Sequence, residues 1–204
     1  MRRRGLFNAE APLWHGLGRF GEILLLSMMW FLCSVPVVTL GGATAALYDT
    51  VVHSLRRGEE DIFSRFWRTL KNETLSAIPA TLLWEAILTG LFLLFRMYTA
   101  AAGTGRLSYI LAVAFLILQV FVLGAAGWVF PLLSRFTLGF GALNRTAVRL
   151  AAASPWRTGL LGALLAGAGW LCLRFLLPVM LLPAVAALGA SLLLEPVFGK
   201  YIKE

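Results

Sequence analysis

Residues 34–55 read SVPVVTLGGATAALYDTVVHSL, between the apolar run FGEILLLSMMWFLCSV and the charged RRGEED. Whether the chain stops, bends or crosses back here decides the topology of everything after it. Pro36 lacks an amide hydrogen and disfavours helical geometry at Val35, while Gly41 and Gly42 permit a tight reversal. The segment that follows carries Thr, Tyr, Asp and His among its apolar residues. We read residues 36–57 as a broken arm that returns the chain to the side from which it came. The competing reading makes 43–57 an amphipathic helix lying on a membrane surface.

Composition sets the class. Of 204 residues, 59% are hydrophobic and 14% charged, with a mean hydropathy of +0.81, far below the roughly one-quarter charged content of soluble domains. Several runs approach or exceed the roughly 20 apolar residues needed to cross a bilayer as helix. The expected fold class is therefore an all-α integral membrane helical bundle. Net charge is +8, but the basic residues lie between apolar runs, as expected beside anionic headgroups. No nucleic-acid signature accompanies them. Cys33 and Cys172 stand alone in apolar runs, without metal-ligand or disulfide spacing. The basic N-terminus precedes an apolar stretch with no small-residue cleavage pattern, so the first helix is expected to be retained.

Five firm spans are expected, at residues 20–35, 75–95, 107–133, 158–176 and 179–197. The last two divide one apolar block at Arg174, Pro178 and Pro183. Basic residues test the arm. Fifteen of the eighteen Lys and Arg fall in the N-terminal segment, in 48–74, in 134–157 and in the tail; Arg96, Arg106 and Arg174 are the remainder. Five simple crossings divide them eleven to seven, whereas a returning arm collects fifteen on one side. The positive-inside bias selects the return and places both termini in the cytoplasm. The Val37–Gly42 break is expected to pack against other helices, because irregular backbone at membrane depth needs protein or water to satisfy it.

After the arm, IFSRFWRTLKNETL places Ile62, Phe63, Phe66, Trp67 and Leu70 on one helical face, with Arg65, Arg68 and Lys71 elsewhere. Asp61 suits an N-cap, and Glu59 and Glu60 suit the positive end of the helix dipole. The expectation is a cytoplasmic interfacial amphipathic helix over 61–74, with a second basic connection in SRFTLGFGALNRTAVRLAAASPWR.

Residues 27–73, SMMWFLCSVPVVTLGGATAALYDTVVHSLRRGEEDIFSRFWRTLKNE, resemble the signature region of the YesL family of bacterial multi-pass membrane proteins, whose activity is not established. The matching positions are Trp30, Pro36, Val37, Val38, Thr39, Gly41, Leu47, Tyr48, Gly58 and the Phe63–Lys71 helix. FPLLSRF, residues 130–136, is similar to that family's third-span exit, and Ser27 stands where its pattern often has Asn. The resemblance implies a plasma-membrane protein of 1–204 as one domain, often encoded near carbohydrate uptake systems. It implies no reaction.

Glu85, near the middle of its span, is the first site candidate, since intramembrane carboxylates are expensive and face the bundle interior. Thr81 and Thr89 flank it at i−4 and i+4, and Gln119 is expected within hydrogen-bonding reach. This stripe reads either as a midplane site for a proton, cation or polar solute, or as a protonated carboxyl joining two helices. Pro36, Thr39, Gly41 and Gly42 form the helix break. Phe63, Arg65, Phe66, Trp67, Arg68 and Lys71 form a candidate docking helix. Arg174 is an outer-side candidate, either snorkelling or contacting an anion or sugar. Glu195 is expected to reach headgroups and Lys200.

GLGRFG at 16–21 matches a dinucleotide pattern literally but lacks the preceding strand. His15 and His53 have no second ligand nearby, so no metal is expected, nor any cofactor. Small residues in GLLGALLAGAGW, from Gly159, suit close helix approach within the bundle, or between two copies. The expected function is non-enzymatic: an accessory or regulatory partner of a carbohydrate transporter subunit, in contact with membrane lipid and not with nucleic acid. The alternative is a small solute or ion transporter built on Glu85 and the broken segment.

Overall fold

A computed structural model describes residues 12–56, 61–101, 105–175 and 177–201. Outside them lie the N-terminal arginines, the Gly-acidic step at 58–60 and Lys203. Within the described helices, the side chains of 12–17, 55, 56, 177, 200 and 201, including His15 and Lys200, are likewise outside the description. Among the described residues every regular element is helical: α1 (Pro12–Ser34), a 3₁₀ turn (Val37–Thr39), α2 (Leu40–Thr50) continuing as a π-helical turn (Val51–Arg56), α3 (Ile62–Ala100), α4 (Arg106–Leu133), α5 (Phe140–Ala153), α6 (Pro155–Arg174), a 3₁₀ turn (Leu177–Met180) and α7 (Leu182–Tyr201). Four of them, α3, α4, α6 and α7, are long and apolar enough to cross a membrane.

α1 ends where Pro36 dictates. The Thr39 hydroxyl reaches back to the carbonyls of Cys33 (2.6 Å) and Pro36 (2.8 Å), serving backbone acceptors that the helix end leaves open. The break is not buried as expected, for Val35, Val37 and Val38 are all exposed. Burial begins at the glycine pair, and from Gly41 to Ser54 every residue except Thr44 is buried. α2 is thus a central rod, packed on α1, α3, α4 and α7.

Gly41 and Gly42 explain how α2 approaches so closely. A Cβ on Gly41 would stand 2.0 Å from Thr81 Oγ1 and 2.5 Å from the Phe130 ring; one on Gly42 would stand 2.8 Å from the Thr74 Cα. The same device joins α4 to α6. A Cβ on Gly124 would lie 2.0 Å from the Thr158 carbonyl oxygen, and one on Gly162 would lie 1.9 Å from that of Val120. Where lipid tails are as apolar as leucine, such backbone proximity is a main source of helix association. Gly162 is therefore spent inside the bundle, whereas a Cβ on Gly167 or Gly169 meets nothing.

α3 merges two expected elements. The amphipathic segment 61–74 and the span 75–95 form one unbroken helix of 39 residues, with Pro79 inside it. No glycine or cap separates them, and the one missing amide hydrogen of Pro79 is insufficient to end a helix braced on its buried side. Leu143, Ala147, Leu150 and Ala151 of α5 join the main core, leaving Arg145 and Arg149 exposed. Ser154 alone separates α5 from α6, whose first residue, Pro155, lacks only an amide hydrogen that the helix does not use. Thr158 clasps this elbow, its hydroxyl lying 3.0 Å from the Ala151 carbonyl oxygen and accepting from Trp128 Nε1 at 3.2 Å. Trp128 is fully buried and meets Phe198 edge-on, with ring centres 6.0 Å apart.

Candidate functional site

The polar groups of the fold gather at the end of the bundle where α2 runs into its π-helical turn and α3 begins. Arg65, Thr69 and Glu73 recur every fourth residue and so share one face of α3. That face meets Asp49 on α2. The Asp49 Oδ2 accepts from Arg65 Nε at 3.1 Å and from the Thr69 hydroxyl at 3.0 Å. On the other side, His53 Nδ1 lies 3.1 Å from Oδ1 and 2.8 Å from the Asp49 carbonyl oxygen. Both neighbours are acceptors, so Nδ1 carries the hydrogen. Asp49 and His53 are buried, with side-chain exposures near one-tenth. Glu73 is half-buried and near enough to Asp49 for the two carboxylates to oppose each other. His53 lies in the π-helical turn, whose wider spiral redirects side chains relative to α2.

The residue beside Asp49 faces elsewhere. Tyr48 donates its hydroxyl to Glu195 Oε1 on α7 (3.1 Å), and Arg135 donates to the same oxygen at 2.6 Å. Glu195 therefore does not reach out to headgroups, as expected from its place near a span end; it ties α2, α7 and the α4 exit together. Arg135 Nε is buried with no hydrogen-bond partner among the described residues. α2 thus meets two ion-paired clusters, joining one through Asp49 and the other through the Tyr48 hydroxyl, and an unpaired member of either pair would be costly.

Only part of the expected docking helix is accessible. Arg65 and Phe66 are turned inward, Arg65 onto Asp49 and Phe66 into a fully buried position among Leu26, Leu47 and Val51. Phe63 and Trp67 are exposed, as are Arg68 and Lys71. The Lys71 ammonium sits 5.8 Å from the centre of the Trp67 ring, a cation–π pair one turn apart. The outer surface is an aromatic–basic stripe whose backing is fixed from within.

The Glu85 stripe is not assembled. Thr81 is buried, donating to the Ala77 carbonyl oxygen (2.8 Å), whereas Thr89 is exposed. Glu85 is half-buried, and among the described residues no hydrogen bond or ion pair reaches it, from Gln119 or elsewhere. The buried polar contact at this level belongs to its neighbour Trp84, whose Nε1 donates to Asn144 Oδ1 at 2.8 Å. Arg174 ends α6 and is exposed. No group of three or more potential metal ligands occurs among the described residues.

Sequence reasoning passed over Asp49, Thr69, Glu73 and Arg135, and gave Glu195 to headgroups and Lys200 rather than to partners within the bundle. The signal was present for three of them. Asp49–His53 and Arg65–Thr69–Glu73 have helical spacing of four, so two polar stripes of complementary charge lay in segments that had to pack together. Arg135 and Glu195 are 60 residues apart, and no local spacing couples them.

The fold defines an all-helical protein with four helices suited to crossing a membrane, in which α1 and α2 form a hairpin whose second arm is the packing centre. Residues 23–98, from mid-α1 almost to the end of α3, match the family model described as "Protein of unknown function, DUF624". The match takes in α2, the Asp49 cluster and the aromatic–basic stripe. No curated protein and no solved structure matches the chain.

Proposed function

We propose that this chain is a multi-pass plasma-membrane protein of a bacterium, with α1 as a fifth membrane-entering helix and its basic end in the cytoplasm. In this reading it acts without catalysing a reaction, as an accessory or regulatory partner of a carbohydrate uptake system. The link to carbohydrate uptake rests on the YesL-like residues around Pro36 and Gly41. The docking role rests on one observation: Phe63, Trp67 and Lys71 are exposed on a helix whose opposite face is pinned by Arg65, Thr69 and Phe66. Rigid aromatic side chains beside a cation are the usual anchors of protein interfaces. Pre-organised backing lowers the entropic cost of using them.

The Glu85-centred transport alternative draws no support from the half-buried, unpartnered position of that carboxylate. The experiment is photocrosslinking from position 67 in native membranes. Recovery of a transporter subunit, lost when Phe63 and Lys71 are replaced by Ser and Glu, is the expected result. Sugar or ion flux by the purified chain in proteoliposomes, abolished by Glu85→Gln, would refute the accessory reading.

A further inference from the structure

A cavity of about 560 Å³ opens on the side of the bundle, within the size range of small-molecule sites. α1 and α6 stand on either side of it, while α2, α4 and α7 form its back. The 177–180 turn, which packs on α1, α6 and α7, closes one end. No charged residue lines it. Thr44 and Trp30 satisfy one another across the wall (3.2 Å), and Tyr48 is engaged by Glu195. Ser34 also lines the cavity, though its hydroxyl oxygen is shielded from the open space.

The rim states what can enter. Phe31 and Val35 on one side, and Leu173 on the other, are 47%, 68% and 91% exposed. Large apolar side chains around an opening exclude a water-borne polar solute and suit a site reached from hydrocarbon. One residue beyond Leu173 stands Arg174, exposed and with no ion pair among the described residues. An apolar slot with an exposed guanidinium one residue beyond its rim matches two parts of one molecule, an acyl chain and a phosphate.

We propose that this cavity binds one acyl chain of a membrane phospholipid, with Arg174 pairing with the phosphate. The inference rests on the membrane reading above, but not on the docking role. Arg174 thereby gains a function that snorkelling alone does not supply, and the 3₁₀ turn before α7 becomes the cap of a lipid site.

The test uses the full chain, purified in mild detergent and weighed intact by native mass spectrometry with phosphatidylglycerol added. Gly169 lines the cavity and a Cβ there meets nothing, so Gly169→Phe starts its ring from open space at the wall of the slot. Gly167→Phe is the control, equally free of contacts but outside the lining. The expected result is one retained phospholipid per wild-type chain, weakened at least about tenfold by Gly169→Phe, severalfold by Arg174→Gln, and unchanged by Gly167→Phe. Equal retention by wild type, Gly169→Phe and Arg174→Gln would overturn the proposal, as would a wild-type chain that keeps no lipid or a second copy seated in the slot. Extraction of membranes with alkaline carbonate separates the two failures. A chain released by carbonate contradicts the membrane reading itself, whereas a membrane-retained chain without lipid contradicts only the cavity's assignment.

Discussion

α2 and the outer half of the α3–α4 hairpin are both helical and both rich in apolar residues, yet they solve opposite problems. α2 is short, carries Thr, Tyr, Asp and glycine, and is buried along almost its whole length. From Glu85 to Phe121 the described residues of the hairpin are mostly apolar, and Leu93, Met97, Leu107 and Ile117 are exposed at half or more of their surface. Its two helices hold each other through pairs such as Tyr98 and Phe115, stacked 5.4 Å apart. A water-soluble bundle would bury such a surface; here it lies on two helices long and apolar enough to cross a membrane. The lesson is that the longest apolar stretches in this protein lie on its exposed surface, while burial in protein is reported by small and polar residues that have defined partners.

The comparison breaks most easily at the glycines. Gly162→Leu and Gly41→Leu should abolish the folded, monodisperse protein in detergent, because each added side chain meets backbone oxygen or a buried ring. Leu at Gly167 should leave the unfolding temperature unchanged. If the glycine pair tolerated leucine, α2 would not be the central rod described.

Asp49→Leu should come next, at about 3 kcal/mol, since it removes the buried carboxylate on which Arg65, Thr69 and His53 converge. Adding Arg65→Met should recover at least half of that loss, read as denaturant unfolding in micelles. Failure of the second change to rescue the first would mean that the two residues are not coupled. Glu195→Gln retains an acceptor for Tyr48 and Arg135 but removes the charge, for an expected cost of about 1–2 kcal/mol in the same assay.

The smallest effects belong to the hairpin and to Glu85. Leu93→Ser and Glu85→Gln should each shift unfolding in detergent by less than about 0.5 kcal/mol, as surface changes without lost partners do. A larger loss at Glu85 would reveal a partner for that carboxylate and reopen the transport reading.

Much of this was legible in the sequence. The spans at 107–133 and 158–176 correspond closely to α4 and α6, because long apolar runs declare themselves. Pro36 ends α1 where its chemistry requires, whereas Gly41 and Gly42, expected to permit a tight reversal, lie inside α2 and serve its close approach to α3 and α4. The merging of 61–74 with 75–95 was not legible, since amphipathic and apolar halves have different hydropathy but the same backbone propensity. Arg65 and Phe66 were assigned to an outer face on helical periodicity alone; the aromatic stripe is wider than the surface that α2 covers, and only the packed neighbour decides which aromatics it takes. The Glu85 stripe is divided for a related reason. Spacing within α3 correctly aligns Thr81, Glu85 and Thr89, but the rotation of α3 against α2 and α4 buries the first and exposes the last.

The amino-acid sequence by itself determined the helical class, the breakpoints and the segregation of charge from hydrocarbon, because these follow from solvation and from backbone chemistry that act residue by residue. Tertiary structure decided which polar residues became partners: Asp49 with Arg65 and Thr69, and Glu195 with Tyr48 and Arg135. Those pairs depend on how helices are rotated and how closely they approach, and that is set by the few glycine contacts at which one backbone touches another.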